Sequence, residues 1–483
     1  MFLLTNTHCN IDGEGLVIVS QKELHLDYTH KQRGVFSALL AYMHNPRDLV
    51  SYTPIIFVTI AMFVGTSWQL FLPKSDPARY QCYALSFWFG GDALKRLPVE
   101  QCAFLQGSTQ QAPFHMLPLE YPPLTLIPFS LALLAPLSYY QFVFAFLMSL
   151  VAFLIYWLLL RYGPRNSALT CAFYLLIGAI ATTQVRFDIL PAALTLVALI
   201  AAERKHWTMA YLALAIGTLL KLYPLLLLPA FFIAEQRALG RFHRPPTGLK
   251  PRDIPRQLWL TLREFRRWSW RNCLLFLACL VVLTGGFALL NFDGAVLSQL
   301  NYFFKRPLQV EASGSSLLWL ASRFGVSFRV VYDFGSLNMD SALGDIVSKL
   351  STLGLVLGYA YTLYLQWRGK LSLGQTLIAL HLVFITTGKV FSPQYLIWLL
   401  PLLAYVYSAE GLWLFYWGTI SALTTFIYAY LYSRSPDIMQ VPGFFEWVAL
   451  RNLLFVLLTL AYLANWFRIR ETQHITGVQV MRS

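Results

Sequence analysis

The residues able to do chemistry fall into six short segments. Asp76 stands in Ser75-Asp76-Pro77-Ala78-Arg79-Tyr80, Glu120 and Tyr121 open Glu120-Tyr121-Pro122-Pro123-Leu124, and Arg186 and Asp188 flank Phe187. Lys221 begins Lys221-Leu222-Tyr223-Pro224, Arg306 and Glu311 bracket Pro307-Leu308-Gln309-Val310, and Lys389, Ser392, Gln394 and Tyr395 share Gly388-Lys389-Val390-Phe391-Ser392-Pro393-Gln394-Tyr395. A carboxylate can take the proton of an attacking hydroxyl, and fixed cations can neutralise a phosphate. Carboxylates and cations together suit an anionic substrate that carries hydroxyls. Each residue also has a structural alternative. Asp76 would cap a helix, Arg186 and Asp188 would pair locally, Lys221 and Lys389 would snorkel to an interface, and Arg306 and Glu311 would brace their loop.

The elements that position these residues are set by composition. The 483-residue chain is 57% hydrophobic and only 12% charged, against about a quarter charged in soluble domains. This excludes a cytosolic enzyme, a disordered tail and a nucleic-acid binder. The net charge of +14 comes in short clusters between apolar runs, as in a polytopic membrane protein. At about 20 residues per crossing, the expected fold is all-α with about twelve transmembrane helices. The histidines are scattered, and there is no CxxC, GxSxG, HExxH or phosphate-cradling glycine loop. Of the six cysteines, Cys82 and Cys102 share one expected outer loop. A disulfide in an oxidising compartment and two free thiols are both open readings.

Residues 1–48 read as a cytoplasmic N-terminal extension without a cleaved signal sequence, 49–467 as one transmembrane domain, and 468–483 as a cytoplasmic tail. After a first span at 49–72, residues 73–139 form a large extracytoplasmic loop, with an amphipathic piece, 80–94, whose Tyr83, Phe87 and Leu94 are able to lie on the membrane surface. Pro122, Pro123, Pro128 and Pro136 break its last part, because each removes a backbone donor. With this segment kept outside as an interfacial piece, the basic turns fall on the cytoplasmic side. The strongest is 235–272, with ten Arg/Lys against three acids. The remaining spans are expected at 140–160, 167–185, 189–201, 207–220, 223–234, 273–290, 346–365, 373–387, 394–407, 412–431 and 447–467. A short apolar helix near 315–321 is expected in the outer loop 291–344. Several central helices are too short for a bilayer core of about 30 Å, and short helices are tolerated around a wet cavity. The candidate residues then gather at helix ends on one face, about an outward-facing cavity.

The order of these segments resembles the GT-C superfamily of membrane glycosyltransferases, and within it glycosyltransferase family 87. The matching segments are Glu120-Tyr121-Pro122-Pro123-Leu124, Arg186-Phe187-Asp188-Ile189-Leu190-Pro191-Ala192, Lys221-Leu222-Tyr223-Pro224-Leu225-Leu226, Arg306 through Ser313, and Lys389 through Trp398. One departure is that Asp76 lacks the adjacent acid that GT-C enzymes often carry. The resemblance implies an integral-membrane hexosyltransferase of the cell envelope. It would move a sugar, such as mannose, from a polyprenyl-phosphate donor to a glycan, lipid or protein acceptor, with inversion, on the extracytoplasmic side. Asp76 is implied as the catalytic base. Glu120, Tyr121, Arg186, Asp188, Lys221, Arg306, Glu311, Lys389, Gln394 and Tyr395 are implied to bind substrate. Because cations can neutralise the leaving phosphate, no cofactor is required, and a divalent metal is neither required nor excluded. Membrane lipids are the other expected partner, and no nucleic acid is expected. A transporter or flippase for a lipid-linked sugar or other anion is the alternative, disfavoured by one-sided clustering of the charges and by the lack of an internal repeat. A structural membrane subunit without chemistry would leave those charges unexplained.

Overall fold

A computed structural model describes residues 50–105, 112–242, 245, 251–432, 434–435 and 437–464. The whole of the expected N-terminal extension and of the C-terminal tail lies outside the described residues. The chain divides into two compact units, Met1–Ile56 and Phe57–Ser483. Every candidate residue belongs to the second unit.

The first described helix is α1 (Thr53–Thr66), which straddles the division. The connection after α1 then folds into α2 (Asp76–Phe89), the 3-10 turn Gly91–Arg96 and a broken apolar segment containing α3 (Leu126–Leu131). The proline-rich stretch is indeed no continuous helix: 3-10 turns Pro123–Thr125 and Ala132–Leu134 flank α3. Next come α4 (Tyr140–Tyr162), α5 (Ser167–Gly178), α6 (Ile189–Glu203), α7 (Trp207–Leu220) and α8 (Leu228–Ala238). The basic connection carries α9 (Ile254–Arg263) and leads to α10 (Arg271–Leu290). The connection between α10 and the next long helix holds α11 (Ser298–Lys305), α12 (Ser313–Ser322) and the antiparallel strands β1 (Phe328–Asp333) and β2 (Ser336–Ser341). The chain continues through α13 (Gly344–Trp367), α14 (Leu373–Thr387), α15 (Tyr395–Tyr407), α16 (Gly411–Phe426) and α17 (Phe444–Leu463).

Helix occurs in each of the twelve expected segments. Five are long and apolar enough to cross a membrane: α4, α10, α13, α16 with its following π turn, and α17. The others are shorter, so the count of twelve crossings exceeds what helix length and composition establish.

Breaks in the short helices coincide with the candidate residues. Helix α7 ends at Lys221, whose backbone is extended, and a 3-10 turn, Tyr223–Leu227, with Pro224 at its second position, follows. Helix α6 begins only after Asp188, and Pro393 precedes α15. Proline at such positions cannot extend the preceding helical ladder. Around these breaks α6 packs on α7, α7 on α10, and α15 on both α5 and α6. Helix α15 is buried throughout from Tyr395 to Ala404, whereas α10 and α13 leave most side chains outward. Among apolar helices in lipid, close packing drives association and small residues permit it. A Cβ on Gly178 would come within 2.8 Å of Ser421, so this glycine lets α5 approach α16.

Two local expectations change. Tyr83, Phe87 and Leu94 are buried within the protein, not on the membrane surface. Tyr83 packs edge-on against Phe104, and Phe87 against Phe114. The exposed apolar residues here are Trp88 and Phe89. The reversal has a covalent companion: Cys82 and Cys102 form a disulfide that folds the loop back onto α2. The second change is the β1–β2 hairpin, absent from the all-α expectation. Its two-residue turn, Phe334-Gly335, has φ of 51° and 67°, the positive pair that a type I′ hairpin turn needs. Leu308 and Val310 bond across to Met339 and Leu337. The Arg306–Glu311 segment is thereby laid along β2.

Candidate functional site

Asp76 opens α2, but it is Ser75 that caps the helix, its Oγ accepting from the Ala78 amide at 3.3 Å. The Asp76 carboxylate is left for another partner. Arg186 supplies it, with Nη2 2.6 Å from Asp76 Oδ2 and both side chains 16% exposed. Two residues on, Asp188 starts α6 without capping it. Its Oδ1 accepts from Lys221 Nζ at 2.6 Å and from Trp398 Nε1 at 2.7 Å. Asp188 Oδ2 is buried with no hydrogen-bond partner among the described residues.

Arg186 and Asp188 therefore pair outward to Asp76 and Lys221 rather than with each other. Arg186-Phe187-Asp188 joins the two ion pairs into one chain of four charges. With adjacent Cα atoms about 3.8 Å apart, the pairs are neighbours, and Lys221 feels the charges of both Arg186 and Asp76. Lys221 Nζ also lies 5.0 Å from the Phe187 ring, 5.4 Å from Trp398 and 6.0 Å from Tyr121, in the range for attraction between a cation and aromatic faces. Trp398 is held between Tyr223 and Tyr395, with stacked centroids 4.2 and 4.1 Å away. This sandwich fixes the indole N–H that orients Asp188.

A third pair sits beside these two. Arg79, three residues after Asp76 and so on the same face of α2, bonds to Glu120. Burial opposes the Arg79 charge, but Glu120, with lesser help from Tyr121 and Tyr83, holds its pKa above the ordinary guanidinium value. The hairpin tip covers this pair: a Cβ on Gly335 would be 3.4 Å from Arg79 Nη1 and 3.6 Å from Glu120 Oε1. Arg306 packs its guanidinium 5.0 Å from the Tyr302 ring and is an electrostatic neighbour of Tyr395. Lys389 is half-buried, and its carbonyl accepts from the Gln309 amide at 2.9 Å. Gln394 is buried and receives a hydrogen bond from the Ser392 hydroxyl.

Glu311 is arranged differently. Its carboxylate is 2.6 Å from Nη1 of Arg451, with both side chains almost wholly buried. Arg451 Nη2 and Asn452 Nδ2 donate to the Glu311 carbonyl at 2.8 and 3.0 Å, and Asn452 also reaches Ser316 Oγ at 2.8 Å. The Arg451 guanidinium stacks 3.8 Å from the Phe391 ring. One arginine thus fastens both the Arg306–Glu311 segment and the loop bearing Lys389.

Arg79, Trp398 and Arg451 were not among the sequence candidates. Arg451 carried a signal, being a lone arginine within an apolar helix, where ionisable residues are costly and rarely idle. Trp398 ends the segment that begins at Lys389 but offers no titratable group. Arg79 precedes Glu120 by 41 residues, and no local pattern links them.

The arrangement can neutralise an anion, with Lys221 and Arg186, and can accept a proton, with Asp76. No curated protein matches the chain. Residues 119–244, which carry Glu120, Tyr121, Arg186, Asp188 and Lys221, match the family model of glycosyltransferase family 87, and the chain is similar over that stretch to a family of membrane glycosyltransferases.

Proposed function

We propose that the protein transfers a sugar from a polyprenyl-phosphate donor to an acceptor hydroxyl, with inversion, on the extracytoplasmic face of the cell membrane. The observation that carries this reading is the chain of four charges, Asp76–Arg186 and Asp188–Lys221, three of which lie inside the family-matched stretch. In the resting protein Arg186 occupies the Asp76 carboxylate. A donor phosphate competes for Arg186 and frees Asp76. Asp76 then takes the proton of the acceptor hydroxyl while that oxygen bonds to the anomeric carbon. The bond from that carbon to the phosphate oxygen breaks, and its electron pair stays on the lipid phosphate.

Lys221, held by Asp188, neutralises the phosphate as its charge grows. Cations aimed where charge develops act strongly in a water-poor site. Lys389 and Arg306 complete the anion's surroundings from the other loops. The unpartnered Asp188 Oδ2, Gln394 and Tyr395 meet sugar hydroxyls, while Glu120 and Tyr121 border the site through Arg79 and Phe187. Glu311 acts from behind, by locking its loop to Arg451. The Cys82–Cys102 disulfide supports the outward orientation, since disulfides persist in oxidising compartments. The remaining short helices would then complete twelve crossings about an outward-facing cavity.

The test incubates purified protein with a panel of polyprenyl-phosphate sugars, mannose and arabinose among them, and measures which donor is consumed. Consumption of one donor, undiminished by a chelator, is expected. Indifference to every member of the panel would remove the donor assignment.

A further inference from the structure

The basic connection between α8 and α10 contains a helix that the site does not use. Viewed along its axis, α9 places Ile254, Leu258, Leu262 and Trp259 on one continuous arc, with Arg263 and Arg256 along its border beyond Trp259 and Leu260 opposite, as the 3.6-residue repeat dictates. Most of that arc is open: Ile254 is half-buried, and the Arg263 guanidinium lies 5.4 Å from the Trp259 ring. Leu258, Trp259 and Leu262 are 42%, 58% and 51% exposed, and Phe265 just beyond is 50% exposed. The main packing contacts of α9 are with the 3-10 turns on either side, Pro251–Asp253 and Phe265–Arg267. Arg256, Arg263, Arg266 and Arg267 are all exposed.

Two observations fix what lies under this arc. Helix α10, long and apolar enough to cross the membrane, starts at Arg271. The seven residues 264–270 extend at most about 25 Å, so α9 is tethered near the point where α10 meets the bilayer surface. An aromatic cluster marks that level. Trp268 and Trp270 lie 5.6 and 4.9 Å from Phe232 of α8, and Trp270 Nε1 donates to the Phe265 carbonyl at 3.2 Å. Tryptophan gathers where chain meets headgroups.

We propose that α9 lies in the plane of the membrane surface, its apolar arc sunk to the acyl boundary, and that Arg256, Arg263, Arg266 and Arg267 bind the headgroups of anionic phospholipids. An apolar face with tryptophan and leucine, bordered by arginines and close to a crossing helix, is the pattern of an interfacial anchor. The four arginines favour an anionic surface because each basic residue near one gains attraction from its negative potential. The inference rests on α10 crossing the bilayer and is independent of sugar transfer.

Hydrogen exchange of the full chain in lipid nanodiscs tests it. Amides of Ile254–Arg263 are expected to exchange about tenfold more slowly when the discs contain anionic phospholipid than when all lipid is zwitterionic. Replacing the four arginines by glutamine should abolish that difference. Leu258→Glu with Leu262→Glu should remove protection in both discs. Unchanged exchange in α10 and α13 serves as the check that each variant is folded. Equal exchange in the two lipids for the unmodified protein would overturn the proposal. So would protection that appears only when soluble cytosolic protein is added, because α9 would then be a protein-docking helix.

Discussion

Two ion-paired regions of this molecule are built on opposite terms. Glu311 and Arg451 are almost wholly buried, doubly bonded, and supported by Asn452, Ser316 and Phe391. Asp76–Arg186 is 16% exposed on both sides, and Asp188 keeps one carboxylate oxygen without a partner among the described residues. The first region has little bonding capacity to spare and almost no solvent-exposed surface. The second has a vacant acceptor and groups that an incoming ligand can redirect. Tyr428 links them: its hydroxyl donates to Gln69 at 3.2 Å, and it is an electrostatic neighbour of Arg186, Asp76 and Glu311. The difference separates charges that hold loops in place from charges that meet a substrate.

Substitutions can break or sharpen that division. Asp76→Asn has the largest expected effect on rate, a loss of about 10²–10⁴-fold, the usual contribution of a general base, with a smaller loss of thermal midpoint than Arg451→Gln because the Asp76–Arg186 pair is partly open to solvent. Arg451→Gln should do the reverse. It strands a buried carboxylate, with a cost of about 3–5 kcal/mol, read as a lowered melting temperature in detergent. Transfer should fall only as far as folded protein is lost. Lys221→Gln removes a cation from the leaving phosphate and should lower turnover about 10²–10³-fold, by analogy with loss of one oxyanion donor. Trp398→Phe keeps the ring stack but deletes the bond to Asp188. A charge-assisted hydrogen bond contributes about 1.5–3 kcal/mol, so steady-state assays should show roughly a tenfold or greater fall in kcat/KM. Ser75→Ala is the smallest, about 1 kcal/mol of helix-cap stability, visible by melting with turnover retained. A melting loss in Asp76→Asn as large as that in Arg451→Gln would erase the contrast between the two regions.

Much of the helical framework was legible because apolar runs and prolines act locally. The breaks at Asp188 and Lys221 were readable from the charged residues that end the apolar runs, and the broken segment before α4 from its four prolines. The convergence of Asp76, Arg186, Asp188 and Lys221 was legible from their common location at helix ends. Their pairing was not. Arg186 and Asp188 are close in sequence, but Phe187 turns inward between them and their side chains reach apart. Nor was the inward face of α2 legible, because Tyr83 and Phe87 find aromatic partners, Phe104 and Phe114, from later in the chain. The hairpin had a weak signal in Asp333-Phe334-Gly335-Ser336, overshadowed by the apolar helices around it. Arg451 was hidden by its own context: one arginine hardly changes the hydropathy of Phe444–Leu463, although its burial is what ties two loops together.

The central claim is that Asp76 acts on a substrate whose phosphate is held by Lys221 and Arg186. It is tested most directly by single-turnover transfer from a bound polyprenyl-phosphate sugar, comparing Asp76→Asn with the unmodified protein. Donor binding should be preserved while product formation is lost. Product appearing at the unmodified rate from the Asp76→Asn protein would contradict the account.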